Sequence, residues 1–126
     1  MIDQYQESRS ILIVDDDEAT REAFALILSQ DGYQVETADN GLLALEQLRS
    51  AQPPALILLD LMMPVMDGVE FQERLAREGH LRDIPILVCS ASGERLRRRL
   101  PLQPVGYLEK PIDPRALLAE VRRHCG

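Results

Sequence analysis

Charged and hydroxyl side chains follow four apolar runs of the sequence, at the point where each run ends. Asp15 and Asp16 follow Ile-Leu-Ile-Val, Asp60 follows Ala-Leu-Ile-Leu-Leu, Ser90 follows Ile-Leu-Val-Cys, and Lys110 follows Val-Gly-Tyr-Leu-Glu. If these runs are parallel strands, their carboxyl ends lie at one edge of a sheet, where α/β proteins bind ligands. The sequence therefore predicts three carboxylates, one hydroxyl and one ammonium around a single site.

This set of groups favours phosphoryl transfer. Clustered carboxylates repel one another and destabilise a fold unless a cation offsets their charge. An all-oxygen donor set suits Mg²⁺, whereas Zn²⁺ prefers Cys and His ligands, which we do not expect at this edge. A carboxylate beside Mg²⁺ and an ammonium can attack phosphorus and form an aspartyl phosphate. The metal and Lys110 would offset charge on the phosphoryl oxygens, and the Ser90 hydroxyl could donate to one of them.

Each of these residues also has a simpler interpretation. Acids after a strand often cap the next helix, which we expect of Asp17 and Glu18. A lone Ser is more often a turn or cap residue, and a Lys-Pro pair is usually a surface turn. What these separate interpretations explain poorly is the occurrence of one such group after each of four strands.

The elements that must position this site follow from the apolar patterning. Runs at 11–14, 35–38, 55–59, 84–89 and 105–109 predict five short strands. The runs at 11–14 and 55–59 are continuous and apolar, which is typical of strands buried on both faces. Helical spacing between them predicts helices, the first ending at Asp31-Gly32 and the last capped by Asp113 with Pro114 at its first position. Alternating strands and helices predict a doubly wound α/β domain with a parallel sheet.

Residues 92–104 fit this alternation least well. Leu96 and Leu100 could form one face of a short helix, but Pro101 would end it, so we expect one or two turns or an irregular segment. The four arginines at 95, 97, 98 and 99 lack interleaved aromatic residues. A solvated helix face is therefore favoured over a nucleic-acid patch.

Composition narrows the class of protein. A chain of 126 residues and 14.2 kDa with 45% hydrophobic residues can bury a core, which excludes a disordered chain. A net charge of −7 argues against direct binding of nucleic acid or an anionic membrane. Cys89 and Cys125 predict reduced thiols, and no signal peptide or membrane span is expected, so a cytoplasmic location is predicted.

Four motifs together resemble the receiver domain of two-component response regulators, the CheY-like family. These are Asp15-Asp16 after the first strand, Asp60-Leu-Met-Met-Pro-Val-Met-Asp-Gly, Ser90-Ala91, and Lys110-Pro111. The resemblance implies a flavodoxin-like fold with strand order 2-1-3-4-5 and a receiver domain over residues 11–126, after a lead-in over 1–10. It departs from the family between Ser92 and Tyr107, where members usually carry a full helix.

The resemblance also implies roles for individual residues. Asp60 would accept a phosphoryl group from a sensor histidine kinase or phosphotransfer protein, and the chain would catalyse only its own phosphorylation and dephosphorylation. The Mg²⁺ would be held by Asp16, Asp60 and the backbone carbonyl of Met62, with Asp15 acting largely through a bound water. The remaining roles are Ser90 and Tyr107 as the switch pair, Lys110 as the phosphoryl contact, and Pro111 after a cis peptide bond.

The sequence leaves one alternative open and argues against a second. A degenerate receiver would act as a constitutive protein-interaction module, and an aspartate-nucleophile phosphatase would need a second Asp where this chain has Met62. Whether the chain is a phosphoacceptor switch or a constitutive interaction module, we expect it to bind a downstream protein target. A homodimer is also possible.

Overall fold

The computed structural model describes residues 9–50, 52–91 and 94–125, and within them five strands alternate with five helices. The strands are β1 (Ser10–Val14), β2 (Gln34–Ala38), β3 (Leu56–Leu59), β4 (Ile86–Ser90) and β5 (Gly106–Glu109). The helices are α1 (Glu18–Gln30), α2 (Gly41–Ser50), α3 (Gly68–Ala76), α4 (Glu94–Arg97) and α5 (Pro114–Cys125). All strand pairs are parallel, in the order β2-β1-β3-β4-β5, which confirms the predicted doubly wound fold.

The sheet separates two apolar cores because successive strand side chains point to opposite faces. Leu12 and Val14 of β1 face one core together with Phe71 of α3, and α2 packs on the same side. Ile11 and Ile13 face the other core, which α1 and α5 complete. Every residue of β3 and β4 is buried, as the unbroken apolar runs predict.

The predicted helix ends are found where the sequence places them. Asp17 caps α1 by accepting a hydrogen bond from the Thr20 N–H at 3.1 Å. At the other end of α1 the chain turns through Gly32, whose φ of +95° is unfavourable for residues with a Cβ. Asp113 accepts from the Arg115 N–H at 3.0 Å, and α5 begins at Pro114.

Some strand limits differ from the predicted ones. β1 begins at Ser10, within the predicted lead-in, and residues 1–8 lie outside the described residues. β4 begins at Ile86 rather than 84, after Pro85, which has no N–H to donate to a ladder. β4 also extends through Ser90, because the Ser90 carbonyl accepts from the Lys110 N–H at 2.9 Å.

In the described part of the segment that departs from the family pattern, α4 is a single helical turn, which confirms the predicted short fourth helix. Residues 92 and 93 of this segment lie outside the described residues. Leu96, Leu100 and Leu102 pack against the α2–α3 core. The buried side chain of Gln72 in α3 accepts a hydrogen bond from the Leu102 N–H at 2.9 Å. None of the helices in the described part of the chain is long and apolar enough to cross a membrane.

Candidate phosphoryl-transfer site

Three carboxylates meet at the carboxyl edge of the sheet, as the sequence predicts. Asp15 follows β1 and Asp60 follows β3, its neighbour in the sheet, and both side chains are buried. Asp16 lies beside them and is exposed. One carboxylate oxygen from each of the three lies within 4.8 Å of those of the other two. The parallel register of β1 and β3 creates this cluster.

Lys110 reaches the same cluster from the end of β5. Its Nζ lies 2.7 Å from Asp15 Oδ2 and 3.5 Å from Asp60 Oδ2. Burial lowers the pKa of Lys110, but the hydrogen bond from Asp15 and the charges of Asp15 and Asp60 outweigh that effect and raise the pKa overall. Lys110 is therefore a charged ammonium at neutral pH, and it offsets only part of the negative charge.

The two buried carboxylates are held differently. Both oxygens of Asp15 are engaged, because Oδ1 accepts from the Asp17 N–H at 2.9 Å and Oδ2 accepts from Lys110. Asp60 Oδ1 accepts a longer hydrogen bond, 3.3 Å, from the Met62 N–H. Burial and then the charge of Asp15 raise the pKa of Asp60, while Lys110, the Met62 N–H and the adjacent Ser90 hydroxyl oppose the rise. Asp60 is thus the less fully coordinated carboxylate of a repelling pair.

Arg21 is a residue of this site that the sequence analysis missed. Its guanidinium donates to the Asp15 backbone carbonyl at 2.7 Å and lies 3.4 Å from Asp39. Arg21 is four residues after Asp17, so the first turn of α1 brings it back over the end of β1. The four-residue spacing between Asp17 and Arg21 is the sequence signal from which this contact could have been predicted. The contact fixes the backbone that carries Asp15.

Ser90 and Tyr107 lie on neighbouring strands at the edge of the site. The Ser90 hydroxyl is buried, and none of the described residues forms a hydrogen bond with it. Tyr107 is half-buried on β5, where it pairs with Val88 of β4. A cavity of about 310 Å³ lies between the two side chains. Within the described residues, the Tyr107 side chain forms no hydrogen bond with the three carboxylates or with Lys110.

The other predicted positions surround this centre. The Met62 side chain is exposed on the loop after β3. The peptide bond between Lys110 and Pro111 is cis. Cys89, next to Ser90, is a neutral thiol, because burial raises its pKa to about 12.

The loop between Asp60 and α3 is held close to β3 by a glycine. The Gly68 N–H donates to the Leu61 carbonyl at 2.9 Å. A Cβ at residue 68 would lie 2.8 Å from Leu61 Cα, closer than side chains tolerate. Asp67 caps α3 by accepting from the Glu70 N–H at 2.9 Å. The Asp-Gly pair therefore fixes the loop that carries Met62.

The donor chemistry of the site fits Mg²⁺. Three carboxylates face one ammonium, so negative charge exceeds positive charge at the cluster. Carboxylate oxygens are hard ligands, and the exposed Asp16 leaves room for the water ligands that Mg²⁺ retains. The residues that would hold the ion are Asp15, Asp16 and Asp60, with the Met62 carbonyl as the predicted backbone ligand.

Curated proteins are similar to the chain in sequence. The chain is 37% identical over 117 residues to the phosphate regulon transcriptional regulatory protein PhoB of Escherichia coli, and 44% identical over 114 residues to the response regulator MprA of Mycobacterium ulcerans. These alignments include 91% and 89% of this chain but 51% and 48% of the relatives. The chain therefore spans about half the length of the curated relatives it matches.

Solved structures that are similar to the chain share its fold. The chemotaxis protein CheY4 of Vibrio cholerae matches with a TM-score of 0.81 and 32% identity, over 91% of this chain and 97% of that one. A sensor protein from Polaromonas sp. matches with a TM-score of 0.83 and 32% identity, over 92% and 94% of the two chains. The family model of the response regulator receiver domain matches residues 11–122. The chain therefore belongs to the response regulator receiver domain family.

Proposed function

We propose that this chain is a phosphoacceptor switch in which Asp60 accepts a phosphoryl group from a sensor histidine kinase or phosphotransfer protein. Receiver domains are signalling proteins that work with such kinases, which supports this role. The observation that carries the proposal is the buried Asp60 carboxylate, which lies between two other carboxylates and the Lys110 ammonium. Phosphorylation would change the surface that the chain offers to a downstream protein.

Asp60 is the best nucleophile of the three carboxylates. Asp15 is already committed to Asp17 and Lys110 through both of its oxygens. Asp16 is exposed, so water solvates its charge and weakens it as a nucleophile. Asp60 is buried, has a raised pKa, and is held by a long 3.3 Å hydrogen bond from the Met62 N–H and a 3.5 Å ion pair with Lys110.

The step is a displacement at phosphorus. One oxygen of Asp60 forms the new O–P bond while the bond from phosphorus to the donor nitrogen breaks, and that nitrogen takes up a proton. Lys110 is within reach of the developing charge, and the unpartnered Ser90 hydroxyl can donate to a phosphoryl oxygen. A bound Mg²⁺ would supply charge neutralisation to the phosphoryl oxygens.

The switch would connect the site to the surface through Ser90 and Tyr107. If the Ser90 hydroxyl moves toward the phosphoryl group, it leaves space on the side of the cavity that faces Tyr107. The aromatic ring can then turn inward. This movement would alter the α4–β5 surface.

A degenerate receiver, acting as a constitutive interaction module, is the second candidate. The single turn of α4 favours it, because a changed α4–β5 surface suits altered signalling.

Phosphorylation by a small donor separates the two candidates. Purified protein is incubated with phosphoramidate and Mg²⁺, and the intact mass is measured. The switch predicts one added phosphoryl group, lost in Asp60→Asn and retained in Asp83→Asn, which removes an exposed carboxylate elsewhere. An unmodified wild-type chain under these conditions would leave the interaction module as the function.

A further inference from the structure

The guanidinium of Arg97 lies on the face of the Tyr107 ring. Its Cζ is 3.7 Å from the ring centroid, well inside the range of a cation–π contact. Arg97 is the last residue of α4, and Tyr107 is the second residue of β5. The contact therefore joins the shortened helix directly to the edge strand.

Among the described residues, the partner of the Arg97 guanidinium is the Tyr107 ring. Neighbouring Arg98 forms an ion pair with Glu94 at 3.2 Å, whereas none of the ion pairs among the described residues includes Arg97. Arg97 and Tyr107 both line the cavity that Ser90 also lines, and the Ser90 hydroxyl is buried without a hydrogen-bond partner among the described residues. The stacked pair thus stands at the space into which the ring would turn.

We propose that Arg97 is a positioning residue that holds the Tyr107 ring in its present orientation and so raises the threshold for switching. This inference rests on the proposed function. A contact shifts a conformational equilibrium only if it differs between the two states. Arg97 stacks on the ring in its present orientation, and rotation of Tyr107 toward Ser90 turns the ring face away from the guanidinium, so under this proposal the contact favours the resting state.

The expected effect follows from the strength of the contact. An exposed cation–π pair changes an equilibrium by about two- to fivefold. Removing the guanidinium should therefore increase the population of the inward ring by about that factor. A phosphoryl analogue should then bind at a correspondingly lower concentration.

The test compares Arg97→Ala with Arg95→Ala, which removes the same charge from the same helical turn without touching the ring. Beryllium trifluoride, an analogue of a phosphoryl group on a carboxylate, is titrated with Mg²⁺ present, and the Tyr107 ring signal is followed by NMR. Half-saturation should fall about two- to fivefold in Arg97→Ala and stay at the wild-type value in Arg95→Ala. Equal half-saturation in Arg97→Ala and wild type overturns the inference.

A second measurement needs no phosphoryl analogue, so it stands even if the proposed function fails. In the unmodified protein, the nuclear Overhauser effect between the Tyr107 ring and the Ala91 methyl reports the inward ring, since Ala91 lines the same cavity. This signal should be stronger in Arg97→Ala than in wild type and Arg95→Ala. An unchanged signal contradicts the inference, whereas a wild type that ignores beryllium trifluoride contradicts the phosphoacceptor function.

Discussion

Lys110 is the single lysine of a chain with thirteen arginines. Its compact ammonium reaches Asp15 at 2.7 Å and Asp60 at 3.5 Å from one position. A planar guanidinium is larger and donates in a fixed fork, so it cannot take the same place between two buried carboxylates. At position 110, the geometry of the site and its charge together therefore require a lysine.

We expect Lys110→Arg to fold normally and to take up a phosphoryl group about tenfold more slowly, because the donor to the phosphoryl oxygens is displaced. The time course of intact mass with phosphoramidate measures this rate, and thermal unfolding checks the fold. Arg115→Lys, an exposed substitution of the reverse kind, is the control. A wild-type rate in Lys110→Arg would make the single lysine an accident of composition.

Val65 lies in a conformation that suits other residues better. Its φ is +70°, and its side chain is 74% exposed on the loop after β3. The left-handed region costs an L-residue about 1–2 kcal/mol, and a β-branched side chain is among the least tolerant. Asn adopts this region more readily, because its side chain can form local hydrogen bonds.

Val65→Asn should therefore raise the free energy of unfolding by about 1 kcal/mol. Urea denaturation measures this change, with Val105→Asn as the matched control, since Val105 is also exposed and has no positive φ. A variant no more stable than wild type would show that the loop relaxes without strain.

At the scale of elements, the apolar runs predicted the sheet well because strands buried on both faces need unbroken apolar sequence. The clustering of the acidic residues after β1 and β3 was also predictable, because parallel strands place their carboxyl ends at one edge of the sheet. Strand limits were less predictable: Ser90 belongs to β4 because its carbonyl pairs with Lys110, a residue from another strand.

Residues whose roles depend on distant partners were missed. Gln72 sits on the buried face of α3, where its spacing gives no sign of a polar role. Its hydrogen-bond partner, Leu102, lies 30 residues away in the sequence. The stacking of Arg97 on Tyr107 is likewise set by where α4 ends relative to β5. Such contacts follow from tertiary placement and not from local pattern.

Gln72→Leu should destabilise the protein by about 1–3 kcal/mol, since it leaves the Leu102 N–H without its acceptor at a partly buried position. Amide hydrogen exchange should accelerate at Leu102 more than at residues of β3. Gln47→Leu is the control, because it removes a glutamine whose side chain donates to the Thr37 carbonyl at an exposed contact. Unchanged exchange at Leu102 would mean that Gln72 does not hold the α4–β5 connection.

At the scale of the whole molecule, the net charge of −7 is partly concentrated at one edge of the sheet. Asp60 is close to Asp15 and Asp16 in the folded protein, where the carboxylates repel one another, and it lies farther from both in the unfolded chain. A cation that binds the cluster therefore binds the folded state preferentially and stabilises it.

Mg²⁺ should accordingly raise the melting temperature, by an amount equivalent to about 2.7 kcal/mol at a concentration a hundred times Kd. Calorimetry with and without Mg²⁺, at matched ionic strength, measures the effect. Asp16→Asn should reduce the rise because it removes a ligand from the exposed side, and Asp83→Asn should not. An equal rise in both variants would place the stabilising ion elsewhere.

The ion pair between Lys110 and Asp15 joins residues 95 positions apart in the chain. Contacts of such long sequence separation form only after most of the chain entropy has been lost. During synthesis, a chain that has not yet added β5 carries the acidic cluster without its ammonium. Under the proposed function, a newly made molecule therefore becomes able to receive a signal only when β5 is in place, so chains that lack β5 do not compete with chains that have it for the kinase's phosphoryl groups.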